Sequence, residues 1–299
     1  RQSAVLGIGR DAVRLLMAMQ RHPRIAPLWD ALQRDQGALL AVLHRPTTPR
    51  TLALRLPPLV ETHLTYLVRE VPLNEHRHHI QWFRARHVAP YEAMTVDVVR
   101  HVVAGLGPGP AHPPFALVPR YLAIGVALRS VKSPPVLTDL KKALFFDWLW
   151  HVPGSGTHAL EPGLQLMTQS LLKYPQLTAE LIDFLWAYVH DTAPAYRAAV
   201  DASMRAAVSE IAALPDHGVA AMLVSETLPA ETLTRLRDLF RPVLARDGHF
   251  LLLHRLQQRR LRPGRGPVDL VRHQKLAEDR PLDEAEGAAP VHRGFQHFR

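Results

Sequence analysis

Apolar residues recur along this chain at intervals of three and four, not two. Residues 8–20, IGRDAVRLLMAMQ, place Ile8, Ala12, Leu15, Leu16 and Met19 on one helical face, and His22-Pro23 closes the segment. The same spacing predicts helices over 25–34 and 38–44, from Pro57-Pro58 to about Arg69, around 80–87, and over 94–104 and 118–130. PTTP at 46–49 reads as a turn, and the Gly/Pro-rich stretch from Gly105 to Pro114 reads as a loop. Further helices are predicted over 161–172, 177–190, 196–213, 219–226 and 231–239, the last opened by Pro229, with a final apolar stretch over 243–256. No segment alternates with period two through β-branched residues, so the chain is read as all-α.

One stretch organises the rest. Lys141 to Trp150, KKALFFDWLW, holds two of the five tryptophans and two adjacent phenylalanines. As a helix it places Leu144, Phe145, Trp148 and Leu149 on one face with Phe146 and Trp150 flanking them, which makes it apolar nearly all round. Such a helix must be buried between others. Lys141, Lys142 and Asp147 are its only charges and are expected where it reaches the surface. Asp147, lying among aromatics, is expected to pair with an arginine, because an unpaired buried carboxylate is costly. After the break at Ser133-Pro134-Pro135, Thr138 is the expected N-cap of this helix, and the loop from Pro153 to Gly156 ends it.

About a dozen helices joined by short Pro/Gly turns predict antiparallel pairs stacked side by side, as in HEAT-like solenoids. No clean repeat of fixed period is present, so the expectation is an irregular α-solenoid. Residues 1–258 are assigned to this helical scaffold. Residues 259–299, which begin RRLRPGR and later read AEDRPLDEAEGAAP, lack helical periodicity and are read as a basic, disordered tail. The first residue is Arg1, which leads to the expectation of a longer protein with helices upstream.

The formal charge of +9 points toward an acidic partner, whether nucleic acid, an anionic membrane or an acidic protein surface. Its distribution narrows the reading: residues 254–299 hold 10 Lys and Arg against 6 Asp and Glu, while residues 1–253 hold 26 against 21. The excess is concentrated in the tail and the body is only mildly basic. With no cysteine, disulfides, thiol catalysis and sulfur-ligated zinc fall away, and a reducing intracellular compartment is the natural reading. No apolar run approaches a membrane span and the N-terminus does not read as a signal peptide, so no membrane role is expected.

Three motifs imitate chemistry. Gly7-Ile8-Gly9-Arg10-Asp11-Ala12 copies the letters of a dinucleotide fingerprint but lacks the strand, turn and helix that aim it at pyrophosphate; it reads better as a helix entrance at which Gly9 permits a tight approach. Ser170-Leu171-Leu172-Lys173 matches S-x-x-K without its companion motifs and reads as a helix end with Lys173 near the dipole's negative pole. Glu75, His76, His78 and His79 with His87 nearby invite zinc, yet 18 histidines spread over the whole chain and no H-E-x-x-H spacing make a solvated polar face the better reading. No enzyme activity, cofactor or metal is expected.

Ten segments in fixed order carry a resemblance: IGRDAVRLL at 8–16, PLW at 27–29, LALRL at 52–56, QWFRARH at 81–87, DVVRHVV at 97–103, RYLAIGVAL at 120–128, KKALFFDWLW at 141–150, EPGLQLM at 161–167, YPQLTAELIDFL at 174–185 and LRDLF at 236–240. Together they resemble the N-terminal domain of the Integrator complex subunit 3 family, whose members also belong to the SOSS complex. The resemblance implies a non-enzymatic nuclear scaffold. It would hold a small SOSS subunit together with an OB-fold single-stranded-DNA-binding subunit in double-strand-break repair. It would also join other Integrator subunits in small nuclear RNA 3′-end processing and RNA polymerase II transcription, the nuclease residing elsewhere, with nucleic-acid contact indirect. The family continues through an acidic linker into a second helical domain, whereas this chain ends in an arginine-rich tail at Arg299.

The candidate partner-binding residues are charges and one aromatic that the shared segments carry and a core does not need: Arg10, Arg14, Arg55, Trp82, Arg84, Arg100 and Lys142. Each has a plainer reading, a solvated charge or, for Trp82, a core aromatic. The rival function is direct nucleic-acid binding through the basic surface and tail, in which Phe295 and Phe298 are the only aromatics available for stacking.

Overall fold

Proline places the helix starts. It lacks an N–H and fixes φ near the helical value, so it fits the first turn, where the N–H would be unpaired in any case. The computed structural model describes residues 7–72, 75–106, 117–214 and 218–241. Within them, helices with proline in the first turn are α2 (Ala26–Arg34), α4 (Pro49–Ala53), α5 (Pro58–Arg69), α9 (Pro134–Leu149), α10 (Glu161–Ser170), α11 (Pro175–His190) and α12 (Pro194–Ala212). The others are α1 (Asp11–Met19), α3 (Gln36–Leu43), α6 (His76–Phe83), α7 (Thr95–Arg100), α8 (Leu117–Ser130), α13 (Val219–Leu223) and α14 (Ala230–Leu239), the last capped by Pro229. No strand occurs among the described residues, and none of their helices is long and apolar enough to cross a membrane.

Two sequence expectations fail for the same reason. Pro134-Pro135 does not break the chain before the central helix but starts it: Ser133 precedes the first turn, and Thr138 lies inside the helix with its hydroxyl donating to the Pro134 carbonyl at 3.0 Å. Likewise Pro49, read as the end of a turn, opens the short helix α4. A third difference is at 80–87, where the α-helix begins earlier, at His76. At Arg84 it passes into a π turn (Arg84–Val88), and a second π turn (His101–Gly105) follows α7. Each closes with an i to i+5 bond of 2.9 Å, from Ala89 N–H to the Arg84 carbonyl and from Leu106 N–H to the His101 carbonyl. The loop expected at 105–114 lies mostly outside the described residues, and the stretch 243–256 and the tail from 259 lie wholly outside them.

Helix α9 is the spine that its composition predicts. Ala143, Leu144, Phe145 and Trp148 have no exposed surface, Leu149 is 2% exposed, and Phe146 and Trp150 are nearly covered. It packs against α7, α8, α10, α11 and α12. Around it the helices stack in pairs, α8 on α10, α10 on α11 and α11 on both α12 and α14, while α1, α2 and α3 form a group at the N-terminal side and α5 packs on α6. This is an irregular HEAT-like α-solenoid. The Trp148 ring meets Phe145 and Phe240 edge-on at centroid separations of 5.9 and 6.1 Å, the geometry that aromatic quadrupoles favour.

Two glycines let this packing close. At Gly9, a Cβ would stand 2.1 Å from the Arg45 carbonyl oxygen and 2.4 Å from the Pro46 carbonyl carbon, so the chain before α1 lies directly on the α3–α4 connection, as the tight-approach reading of Gly9 expects. At Gly163 in α10, a Cβ would come within 3.1 Å of the Phe145 ring. The obstacle at Gly9 is backbone, which cannot rotate away; the one at Gly163 is a ring edge. We therefore expect Gly9→Ala to lower unfolding free energy in urea by roughly 3 kcal/mol or more. Gly163→Ala should cost about 1 kcal/mol or less, because a helix-propensity gain of about 1 kcal/mol offsets part of the overpacking.

Candidate functional site

Helix α9 carries one charge into the core, Asp147, which is 5% exposed. Its expected place at the surface is thus wrong, and its expected pairing with arginine is found twice over. Arg10 Nη1 donates to Asp147 Oδ1 at 3.0 Å, and Arg100 Nη1 donates to Asp147 Oδ2 at 2.5 Å and to the Ala143 carbonyl at 3.2 Å. The other edge of Arg100 makes a two-pronged bond to Asp11, Nε to Oδ1 at 3.0 Å and Nη2 to Oδ2 at 2.8 Å. Arg14 Nε also donates to Asp11 Oδ1 at 3.1 Å, while its Nη2 reaches Asp97 Oδ1 at 2.9 Å. Arg55 closes the series with Nη2 on Asp97 Oδ2 at 2.9 Å.

The result is a ladder of alternating charge, Arg10, Asp147, Arg100, Asp11, Arg14, Asp97, Arg55, running from the core to the surface. Side-chain exposure is 1% at Arg100, 21% at Arg14 and 43% at Arg55. Local structure explains the positions. Asp11 opens α1, where a carboxylate also complements the helix dipole, and its own N–H is held by the Thr47 hydroxyl at 3.1 Å. Asp97 and Arg100 sit about one turn apart on α7, and Asp147 lies in the last turn of α9.

Burial alone would raise the pKa of Asp11, but the charge and hydrogen bonds of Arg100, with Arg14 beside it, hold its carboxyl well below the usual range. Burial alone would lower that of Arg100; Asp11 and Asp147 overcome this and raise it. At Arg10 burial prevails and the pKa is lowered, despite Asp147. A third buried cation, Arg120, is 2% exposed and bonded to carbonyls, those of Val102 at 3.0 Å, Val103 at 2.6 Å and His158 at 3.0 Å. Burial lowers its pKa to about 10, with Glu161 opposing.

Of the seven predicted contact residues, Arg10 and Arg100 are corrected outright: at 2% and 1% exposure, with carboxylate partners, they hold the interior together and offer nothing to a partner. Arg14 and Arg55 occupy the outer rungs. Lys142 is exposed, 3.3 Å from Asp139, and Arg84 is exposed in the π turn. Trp82 is 39% exposed and meets His63 and His87 edge-on at 4.9 and 5.6 Å. Sequence reasoning missed Asp11, Asp97 and Arg120, although each lies in a shared segment. For Asp11 and Asp97 the available signal was an arginine three residues on, Arg14 and Arg100, a spacing that sets opposite charges on one helix face; for Arg120 it was a charge whose neighbours three and four residues on, Ala123 and Ile124, are apolar.

The histidine cluster disperses. His76 turns inward to the Leu67 carbonyl at 3.0 Å, His79 stands 3.9 Å from Glu75, and His87 Nε2 lies 2.9 Å from His63 Nδ1. Burial first, and then the neighbouring Arg86 and, for His87, His63, lower the pKa of both members of that last pair. Among the described residues no group of three or more His, Cys, Asp or Glu is arranged to hold a metal ion. Ser170 of the S-x-x-K match is buried, bonded to the Leu166 carbonyl and to Thr178, at the helix end expected for it.

The buried charges can be probed one at a time. Asp147→Ala strands two guanidinium groups and should cost about 3 to 5 kcal/mol in chemical unfolding, whereas Arg55→Ala, at the solvated end, should cost less than about 1 kcal/mol. His101, 3% exposed, has no hydrogen-bond partner on either ring nitrogen among the described residues, and burial, with Arg69 adding to it, lowers its pKa to about 4. Between pH 6.5 and about 4 the unfolded chain therefore binds a proton that the folded chain refuses, so stability falls as pH falls, by about 3 kcal/mol at most. His101→Leu should flatten that part of a stability-against-pH curve; an unchanged slope would exclude His101 as its source.

Comparison with known proteins places this geometry. Residues 1–238 match the family model described as Integrator complex subunit 3 N-terminal. Integrator complex subunit 3 of Homo sapiens is 30% identical over 190 residues, covering 60% of this chain and 18% of that protein. The Danio rerio protein of the same name is 30% identical over 188 residues, with the same coverage of each chain. The Anopheles gambiae homolog is 26% identical over 251 residues, 79% of this chain and 23% of its own length. The chain thus spans about a fifth of the length of these relatives. Every rung of the ladder and the whole of α9 fall inside the matched span, and the chain belongs to the Integrator complex subunit 3 family, whose N-terminal domain it represents.

Proposed function

We propose that this domain is a non-enzymatic protein scaffold. It holds small partner subunits together with an OB-fold single-stranded-DNA-binding subunit in the DNA damage response. It serves in the nucleus within the Integrator complex, in small nuclear RNA 3′-end processing and RNA polymerase II transcription. The observation that carries the reading is the family match over residues 1–238, beside which stands the similarity to relatives named Integrator complex subunit 3. The ladder supports it physically: charges that a catalytic or nucleic-acid site would present to a ligand are consumed inside the domain, stiffening a platform whose outer face remains for partners. On that face Trp82, Arg84, Lys142 and the outer rungs Arg14 and Arg55 are the contact candidates.

The rival reading, direct nucleic-acid binding, rests on the formal charge of +9 and the basic segment 259–265, which lies outside the described residues. Calorimetric titration of the chain with an OB-fold single-strand-binding protein of the same organism, without DNA and at two salt concentrations, separates the two. Scaffold function predicts binding that survives the higher salt and weakens about tenfold or more in Trp82→Ala or Arg84→Ala. No binding at either salt, with single-stranded DNA instead retained in a steeply salt-dependent way, would establish the rival.

A further inference from the structure

Two exposed cations that have no carboxylate partner among the described residues, Arg129 and Lys173, meet in one concave place. The C-terminal end of α8, the N-terminal half of α9 and the start of α11 enclose a groove of about 420 Å³. Its floor is apolar, with Leu128 buried and Leu137 half-buried. Three cations line it. Lys141 is held by Glu180 at 3.4 Å. Arg129 has its guanidinium 4.7 Å from the centre of the Tyr174 ring and, among the described residues, no carboxylate within ion-pair distance; Lys173 likewise has none. Stacking on Tyr174 fixes the plane of Arg129 while leaving its N–H edge free, the preorganised fork that carboxylates accept. Tyr174 in the lining is 48% exposed, and Leu172, next to Lys173 in the chain, is 86% exposed, so apolar surface adjoins the two unpaired charges.

We propose that this groove docks a short acidic segment of a protein partner, its carboxylates on Arg129 and Lys173 and an apolar side chain against Leu172 and Tyr174. The inference rests on the scaffold reading and narrows it to one surface and one chemistry. Charge complementarity selects the occupant: three cations face one carboxylate, Glu180, which already belongs to Lys141. A nucleic-acid strand fits less well. Its phosphates recur along a line and need a line of cations, whereas here two free cations flank a pocket the size of a few side chains and Glu180 sits on the rim. A peptide carrying carboxylates on either side of an aliphatic or aromatic residue satisfies both halves of the site.

Fluorescence anisotropy on the full chain tests this. The probes are a labelled peptide of about 12 residues with glutamates flanking a central Phe-Leu pair, the same peptide with Gln for Glu, and an oligothymidylate of about the same length. The acidic peptide should bind, the Gln peptide about tenfold or more weaker, and Lys173→Glu and Arg129→Glu should each reduce binding about tenfold, while Leu172→Ser reduces it severalfold. Arg24→Glu, exposed and away from the groove, should leave peptide binding unchanged. Circular dichroism melts of the variants separate lost binding from lost fold, and since all three positions are exposed their melting temperatures should match that of the parent chain. Equal binding of the acidic and Gln peptides, no effect of Lys173→Glu, or preferential capture of the oligothymidylate through the same residues would overturn the proposal. The OB-fold titration run on the same variants tells the two readings apart: a partner still bound while the acidic peptide is not would remove the groove and leave the scaffold.

Discussion

The guanidinium of Arg100 is the constraint to which the surrounding structure answers. With 1% of its surface exposed, it can be ionised only if several partners meet it at once, and they come from two other helices: Asp11 from α1, and Asp147 with the Ala143 carbonyl from α9. Apolar packing would tolerate small slides between these helices. A fork of directional, charge-assisted bonds does not, so the ladder sets the mutual position of α1, α7 and α9 more sharply than the aromatic core beside it. Its contribution to net stability is modest, because desolvation consumes much of the Coulomb gain; its contribution to uniqueness of packing is larger.

Much of the helix inventory was legible in the residues, because three- and four-residue spacing of apolar side chains is a local property. The spine was legible from KKALFFDWLW alone, since nothing but burial suits so apolar a helix. Starts were misplaced where proline was read as punctuation at Pro49 and Pro134, though in a first turn it has no bond to lose. The π turns left no trace in the periodicity, because one extra residue in a turn shifts the pattern by less than the pattern's own irregularity.

The site was legible in part, and the part that failed is instructive. Arg10 and Arg100 were singled out as charges a core does not need, and the structure places both inside it. What decided their side is a contact between Arg10 and Asp147, 137 positions apart, and another between Arg100 and Asp11, 89 apart. No window along the chain contains both partners. The expectation that Asp147 would find an arginine succeeded because it asked only what a buried carboxylate requires, without asking where the arginine stood.

The ladder also fixes how the gene can be cut. Its rungs are drawn from four separated stretches, residues 10–14, residue 55, residues 97–100 and residue 147. An expressed fragment that begins after Asp11, or one that stops before Asp147, would carry Arg100 into the interior with half its partners left in the discarded piece. A fragment that keeps the ladder whole runs unbroken from before Arg10 through Asp147.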